Sequence, residues 1–252
     1  MSATTSSSPA LREPALAEQT VVVLGGSAGI GMETARLARA EGADVILAAR
    51  NAERLEHAGR ELGARSTAAF DVDDHEALQR FFDDLPKPVD HVMLTGGGPR
   101  YKPLLEMRPE ETREAFSDHL AQATEVARLS VGAVRPGGSL VFMGGTGGRR
   151  PRRGLGAVSA VTVASPTLIA SLALELAPVR VNLIAAGFVD TPLSAAILGD
   201  ALEARREQLR ATLPIRRVVE PADVAALAVH LMTNTAVTGA TYDIDGGQQL
   251  VE

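Results

Sequence analysis

The feature that most constrains this chain is the stretch VVVLGGSAGIG, in which an apolar run from Val21 to Leu24 breaks into Gly25, Gly26, Gly29 and Gly31. Such a run reads as a buried parallel strand. Glycines directly after it let the backbone turn sharply and approach a ligand with no Cβ in the way. The helix that opens at about Gly29 points unpaired N–H groups and the positive end of its dipole at whatever lies there, which favours a pyrophosphate. Any tight strand-to-helix turn can also use glycine, so the meaning of the cluster rests on the rest of the chain.

At 252 residues the chain is long enough for one α/β domain. The mean hydropathy of +0.06 is ordinary for a globular protein, and no apolar run reads as long enough to span a bilayer, so no membrane partner is expected. The first eighteen residues, MSATTSSSPALREPALAE, lack the basic-then-apolar order of a secretory signal and read as a disordered tail, 1–18, ahead of a single domain, 19–252. There is no Cys, which excludes disulfides and thiolate metal sites and makes the cytoplasm the expected location. The net charge of −6 argues against a nucleic-acid partner. The five His are scattered with no metal-ligand spacing, so no metal is expected. One basic cluster, Arg149, Arg150, Arg152 and Arg153, reads as a solvated loop, with reach to an anionic substrate as the alternative.

In chain order, strands alternate with helical patterns from end to end. Met32 to Glu41 is helical and closes at Gly42; Asp44 to Ala49 is a strand; Asn51 is placed to cap a helix ending near Leu62, with Gly63 behind it. Ser66 to Phe70 is a third strand, Asp74 to Phe82 a helix, and His91 to Leu94 a fourth strand. Pro109 to Val134 reads as one long helix stopped by Pro136-Gly137-Gly138, followed by a strand from Ser139 to Met143. A long apolar helix from Leu155 to Leu176, a strand from Arg180 to Ala185, helices at about Ala201 to Leu213 and Pro221 to Met232, and a last strand at Thr241 to Ile244 complete the pattern. This is the order of a Rossmann-type, doubly wound parallel sheet in a single α/β domain.

In such sheets ligands lie beyond the carboxyl ends of the strands, where strand order reverses. Those ends carry Gly25 to Gly31, Arg50, Asp71, Thr95 to Gly98, Gly144 to Gly148 and Ala186 to Thr191. Three of the six are rich in glycine, which raises nucleotide binding above the reading of a single tight turn.

These motifs together make the chain resemble a short-chain dehydrogenase/reductase from about Gln19 to Leu250. The family's TGxxxGxG turn appears as Leu24 to Gly31, implying contacts to the cofactor from Gly25, Ser27, Gly29, Ile30 and Gly31. Its Asp-Val is Asp71-Val72, implied to contact adenine, and its NNAG is present in outline as Leu94-Thr95-Gly96-Gly97. RVN stands at Arg180-Val181-Asn182, the following Pro-Gly is Ala186-Gly187, and Thr191 falls where the family holds the nicotinamide carboxamide. VTG and DGG stand at Val237-Thr238-Gly239 and Asp245-Gly246-Gly247. An NAD enzyme carries a carboxylate at the end of the second strand; here Ala49 is followed by Arg50 and Asn51, and a guanidinium suits the 2′-phosphate of NADP(H).

The resemblance fails at the catalytic set. Counting back from Glu175 puts Val158 at the family's Tyr and Thr162 at its Lys, and counting from Gly138 puts Gly145 at its Ser. No Tyr lies between Tyr101 and Tyr242, no Lys follows Lys102, and no Asn lies between Asn51 and Asn182, so no shift of alignment restores them. Pro166, four residues past Thr162, predicts a kink or break in that helix, or a new helix capped by Ser165. Thr146, beside Gly145, and Tyr101, in the loop after the fourth strand, are the candidate catalytic hydroxyls; a backbone-bonded loop threonine and a packing tyrosine are the alternatives.

Three functions follow from this reading. One is an atypical NADP(H)-dependent oxidoreductase acting on a small-molecule carbonyl or alcohol, its proton coming from substrate or water. The second is a non-redox cyclase, dehydratase or isomerase on the same scaffold. The third is a nucleotide-binding regulator without catalysis. The small and aliphatic residues of the two long helices also lead to the expectation of a homo-oligomer, dimer or tetramer.

Overall fold

Parallel strands need a crossover before they can pair, and each apolar run here is followed by a helix that returns over one face of the sheet. The computed structural model describes residues 13–96, 98 and 100–251. Its strands are β1 (Thr20–Leu24), β2 (Asp44–Ala49), β3 (Ser66–Ala69), β4 (Val89–Leu94), β5 (Val134–Gly145), β6 (Arg180–Ala186) and β7 (Thr241–Ile244). They form one seven-stranded sheet in the order β3-β2-β1-β4-β5-β6-β7, and every pairing is parallel. Strand order reverses between β1 and β4, so the crevice lies at their carboxyl ends, next to Gly25 and Thr95.

The helices are α1 (Gly29–Ala40), α2 (Ala52–Leu62), α3 (His75–Asp83), α4 (Pro109–Ser130), α5 (Gly156–Glu175), α6 (Pro192–Leu198), α7 (Leu202–Thr212), α8 (Pro221–Thr233) and α9 (Gln248–Val251). Two cores separate the layers. One joins Leu78 and Phe82 of α3, Val126 of α4 and Ile169 of α5 to Val22, Leu140 and Leu183 of the sheet. The other joins Ala35 of α1, Leu55 of α2 and Val224 of α8 to Val21, Met93 and Ile184. Helices on both faces make the sheet doubly wound, as expected. The Asn51 side chain accepts from Arg54 N at 2.8 Å to cap α2, and Gly63 closes that helix at a φ of 58°.

The RVN and VTG motifs are explained by packing. Arg180 is buried and donates to the carbonyls of Leu231, Met232, Asn234 and Val237, so its guanidinium caps the C-terminal end of α8. Asn182 donates to Val237 O at 3.0 Å and accepts from Ala240 N at 3.3 Å, while Val181 N donates to Thr238 Oγ1 at 3.1 Å. At the same end of the sheet, His91 Nε2 lies 2.8 Å from Gln19 Oε1 and Nδ1 lies 2.8 Å from Ser139 Oγ. The amide oxygen only accepts, so Nε2 carries the proton and Nδ1 accepts from the serine. Burial is the main cause that lowers the His91 pKa to about 3; Asp90 opposes it, and Arg180 and Arg135 assist it.

Four expectations are corrected. Residues 1–12 of the expected tail lie outside the described residues, but Leu16 is buried in the core and its N–H donates to Glu41 O at 2.9 Å, so packed chain begins inside the segment 1–18. The helix expected to reach Val134 ends at Ser130, because Gly132 takes a φ of 73° and Val134 pairs with Val89 as the start of β5. Pro136-Gly137-Gly138 therefore lies within a strand, at the register shift between Val89 and His91 where a missing N–H costs no ladder bond. Third, the break or new helix expected at Pro166 is absent: α5 continues through it, and Ser165 donates to Val161 O at 2.8 Å instead of capping a new helix. The loss of about 3 kcal/mol from an interior proline is outweighed by burial of Val161, Ile169 and Leu172 at about 1.5–3 kcal/mol each. Finally, α5 is by length and composition long and apolar enough to cross a membrane, with a window hydropathy of 1.8. Interspersed Ser and Thr hide this from a search for an unbroken apolar run, and here the helix packs on the sheet through the residues just named.

His91 gives a pH prediction with a definite sign. Its folded pKa lies below the unfolded value of 6.5, so the unfolded chain takes up a proton first and stability falls as pH drops from 6.5 toward about 3. The contribution is on the order of 1 kcal/mol per pH unit in that window. Denaturant unfolding at pH 7 and pH 4.5 should therefore show a larger stability loss in wild type than in His91→Gln; equal losses would mean that His91 does not remain neutral in the fold.

Candidate functional site

The glycine turn is held by the residue that follows β4. Thr95 N donates to Leu24 O at 2.8 Å, and its hydroxyl donates to Leu24 O at 3.1 Å and Gly25 O at 3.3 Å. A Cβ at Gly25 would lie 2.2 Å from Thr95 Oγ1, and one at Gly31 would lie 2.3 Å from Gly25 O. Gly25 is thus required by the close approach of Thr95, and Gly31 by the Gly25 carbonyl and Thr95 together. Gly29 differs: it has a φ of 54°, and its Cβ would meet Thr191 only at an ordinary 3.5 Å. No side chain caps α1 and no acid stands in its first turn, leaving that helix end open to an anion. Ser27 is half-buried in the same turn, and Ile30 packs against the core behind it.

The other expected cofactor residues lie beside the turn in a chain of neighbours. Arg50, beyond β2, reaches to 3.7 Å from Asp71 beyond β3. Val72 lies against Gly96, where a Cβ would approach its Cγ1 to 3.3 Å, and Gly96 follows Thr95. Thr191 covers Gly29 from the far side while accepting from Ser194 N at 3.1 Å to cap α6. Asn51 points its carbonyl into its own helix cap. Gly97 lies outside the described residues.

At the end of β5, the stretch from Gly144 to Gly148 sits directly on α5. A Cβ at Gly145 would lie 3.3 Å from Thr162 Cγ2, and one at Gly148 would lie 2.5 Å from Thr162 Oγ1. Ser159 donates to Gly147 O at 3.2 Å, and Thr162 donates to Ser159 O at 3.0 Å. Val158, Thr162 and Gly145 thus occupy neighbouring elements, and the Thr162 hydroxyl is spent on its own helix. Thr146 is buried and its N–H donates to Ala186 O at 3.0 Å. Its hydroxyl has no hydrogen-bond partner among the described residues, contrary to the backbone-bonded alternative. Tyr101 is half exposed, and burial of its remainder raises its pKa, so it keeps its proton at neutral pH. The structure brings no contact between Tyr101 and Thr146.

His119 was not anticipated. It projects from α4 to the carboxyl end of β5, with Nε2 3.0 Å from Met143 O. Burial lowers its pKa and the carbonyl partly offsets this, leaving a neutral imidazole that donates to the strand. A lone histidine without metal spacing carries no sequence signal; only the register of α4 on the sheet reveals its position.

The arginine run is mostly paired. Arg149 forms a two-pronged contact with Asp243 at 2.5 and 2.8 Å, whose hydrogen bond raises the guanidinium pKa, and Arg153 lies 3.2 Å from Glu106. A cleft of about 310 Å³ opens here between Pro103 to Glu106 and Arg152 to Gly156.

Comparison with known proteins agrees with this geometry. The sequence profile of the enoyl-(acyl carrier protein) reductase family matches residues 25–249. The chain is 30% identical to short-chain dehydrogenase/reductase ATR9 of Stachybotrys chlorohalonatus over 93% of this chain and 98% of that protein. The solved MalC reductase/Diels-Alderase of Malbranchea aurantiaca superposes with a TM-score of 0.86 at 25% identity, covering 94% of this chain and 99% of that one. A short-chain oxidoreductase of Pseudomonas aeruginosa, described as containing an atypical catalytic centre, gives a TM-score of 0.81 at 26% identity, covering 92% and 97%.

The turn makes a graded prediction. Gly31→Ala must displace backbone, so it should lower stability by about 2 kcal/mol or more, whereas Gly29→Ala should cost about 1 kcal/mol for its positive φ. Chemical denaturation of both variants checks the order; a larger loss at Gly29 would contradict the close approach of Thr95.

Proposed function

The chain belongs to the short-chain dehydrogenase/reductase family, and on that premise we propose that it is an atypical NADP(H)-dependent oxidoreductase acting on a carbonyl or alcohol without the family's Tyr-Lys acid. The observation that carries this reading is the unbroken row of neighbours from Arg50 through Asp71, Val72, Gly96 and Thr95 to Gly25, with Thr191 closing over Gly29. The residues fit the cofactor: the uncapped end of α1 suits its pyrophosphate, and the Ser27 hydroxyl has no protein partner among the described residues. When bound, NADP(H) supplies or accepts the hydride. Asp71 and Val72 would contact the adenine, Thr95 and Gly96 would border the cofactor beside the turn, and Thr191 would hold the carboxamide. Arg50 selects the phosphate, because Ala49 offers no carboxylate to a 2′-hydroxyl and the guanidinium, 73% exposed on its side chain, is free to turn from Asp71.

Val158, Thr162 and Gly145 leave no strong acid at the expected place. Loss of such a group costs about a hundredfold to ten-thousandfold in rate, so hydride transfer continues slowly with the proton taken from water or a substrate hydroxyl. Thr146 orients the substrate oxygen with its unpartnered hydroxyl, and Tyr101, kept protonated, is the second candidate donor.

A second reading is a cyclase on the same scaffold. A pericyclic ring closure transfers no proton, so it needs neither a Tyr at 158 nor a Lys at 162, and MalC carries a Diels-Alderase description. We also propose a homo-oligomer, dimer or tetramer, paired through α4 and α5. The outer face of α5 exposes Ala160, Val163, Ala164, Ala170 and Leu174, and α4 exposes Phe116.

Titration with NADPH and NADH, followed by nicotinamide fluorescence, should show tighter binding of NADPH, with the preference lost in Arg50→Ala. Absence of binding by both nucleotides would remove the oxidoreductase reading. Sedimentation at micromolar concentration should give a dimer or larger species; a monomer there would remove the oligomer.

A further inference from the structure

Twelve large apolar side chains are exposed among the described residues, and five of them stand in the segment that follows β4 or in α6, which follows β6. Tyr101, Leu104 and Leu105 follow β4; Leu193 and Ile197 belong to α6. The two segments are neighbours, since a Cβ at Gly98 would lie 3.9 Å from Leu193 Cδ1. Leu105 has no cover at all, at 101% relative exposure, on a wall of the 310 Å³ cleft. Leu104 is seated on the opposite wall: a Cβ at Gly156 would lie 2.5 Å from its Cδ1. Gly156 is the first residue of α5, the helix that carries Val158 and Thr162, so the cleft opens at the head of the helix that bears the position assigned above to the missing acid.

The charges around this cleft decide what it takes. Arg153 and Glu106 both line it and face each other at 3.2 Å, Arg152 is also engaged, and Arg149 is tied to Asp243 outside it. An anion entering the cleft would have to break an existing pair, whereas an apolar group would cover Leu104, Leu105 and Pro103 without such a loss.

We propose that this cleft is the substrate subsite and that it takes the uncharged, apolar body of the carbonyl compound. The assignment rests on the oxidoreductase reading for the reaction but not for the binding. A fluorescent pair with the same aromatic body tests it: uncharged N-phenyl-1-naphthylamine and its sulfonated counterpart 1-anilinonaphthalene-8-sulfonate, titrated into the full chain with and without NADPH. The uncharged probe should bind more tightly, decanal should displace it, and Leu105→Asp should weaken it about tenfold. Leu105 is fully exposed, so an unchanged thermal midpoint in that variant separates lost binding from lost folding. Leu105→Met should restore binding. Tighter binding of the sulfonate, weakened by Arg153→Gln, would overturn the proposal in favour of an anion site. No uncharged-probe binding, or binding indifferent to Leu105→Asp, would also overturn it. If NADPH binds and the probe does not, the cleft assignment alone fails; if the probe binds and NADPH does not, the oxidoreductase reading alone fails.

Discussion

The rest of the structure depends on how closely Thr95 approaches the turn after β1. Its hydroxyl bonds two carbonyls of the turn, and it leaves no room for a side chain at Gly25. Because the turn must fold around it, α1 begins where it does and aims its uncapped end at the crevice between β1 and β4. The neighbouring loops then inherit their places by contact, Val72 against Gly96 on one side and Thr191 against Gly29 on the other. One packing constraint at the reversal of strand order thus lays out the whole candidate cofactor row.

A second set of motif residues supports the fold without touching that row. Arg180 is drawn out of water and its pKa falls chiefly through burial, yet four carbonyls near the end of α8 receive its protons; only Nε is left without a partner. Such a buried cation is tolerated because its hydrogen bonds are already in place, not because the charge itself stabilises. Asp245 behaves likewise: burial pushes its carboxyl up, but the side chain and backbone of Gln249 and the N–H groups of Gly247 and Gln248 together hold it down. A motif match at RVN or DGG therefore speaks for architecture, while the glycine turn and its neighbours speak for the ligand.

What was legible in the sequence follows from how local its cause is. Asn51 and Gly63 bracket α2 as read, because a cap and a left-handed glycine act within a few residues. Pro136-Gly137-Gly138 misleads, since whether it ends a helix or bulges a strand is decided by pairing with β4, some forty residues earlier. Pro166 misleads in the same way: the local cost is real, but burial against the sheet outweighs it. Leu16 sits in a polar, proline-containing stretch, and only its pairing with Glu41 brings it into the core. In the site, Gly145, Val158 and Thr162 were expected from counting along the chain, whereas His119 and the leucine-lined cleft were not, because both arise from elements distant in sequence.

The loop after β5 and the head of α5 bear on what such a site can do. Gly148 fits onto Thr162 and the Ser159 carbonyl so tightly that any side chain at 148 would push the loop off the helix. Thr162 lies against the loop that carries Thr146, so a longer side chain at 162 would press on that loop. On the proposed reading, with little acid strength to draw on, rate would come from holding the reacting groups in place, which is worth up to about 7–11 kcal/mol when the geometry is right. In the proposed oxidoreductase, the apolar cleft would supply placement and water exclusion rather than proton transfer, and substrate shape more than substrate acidity would decide what is converted.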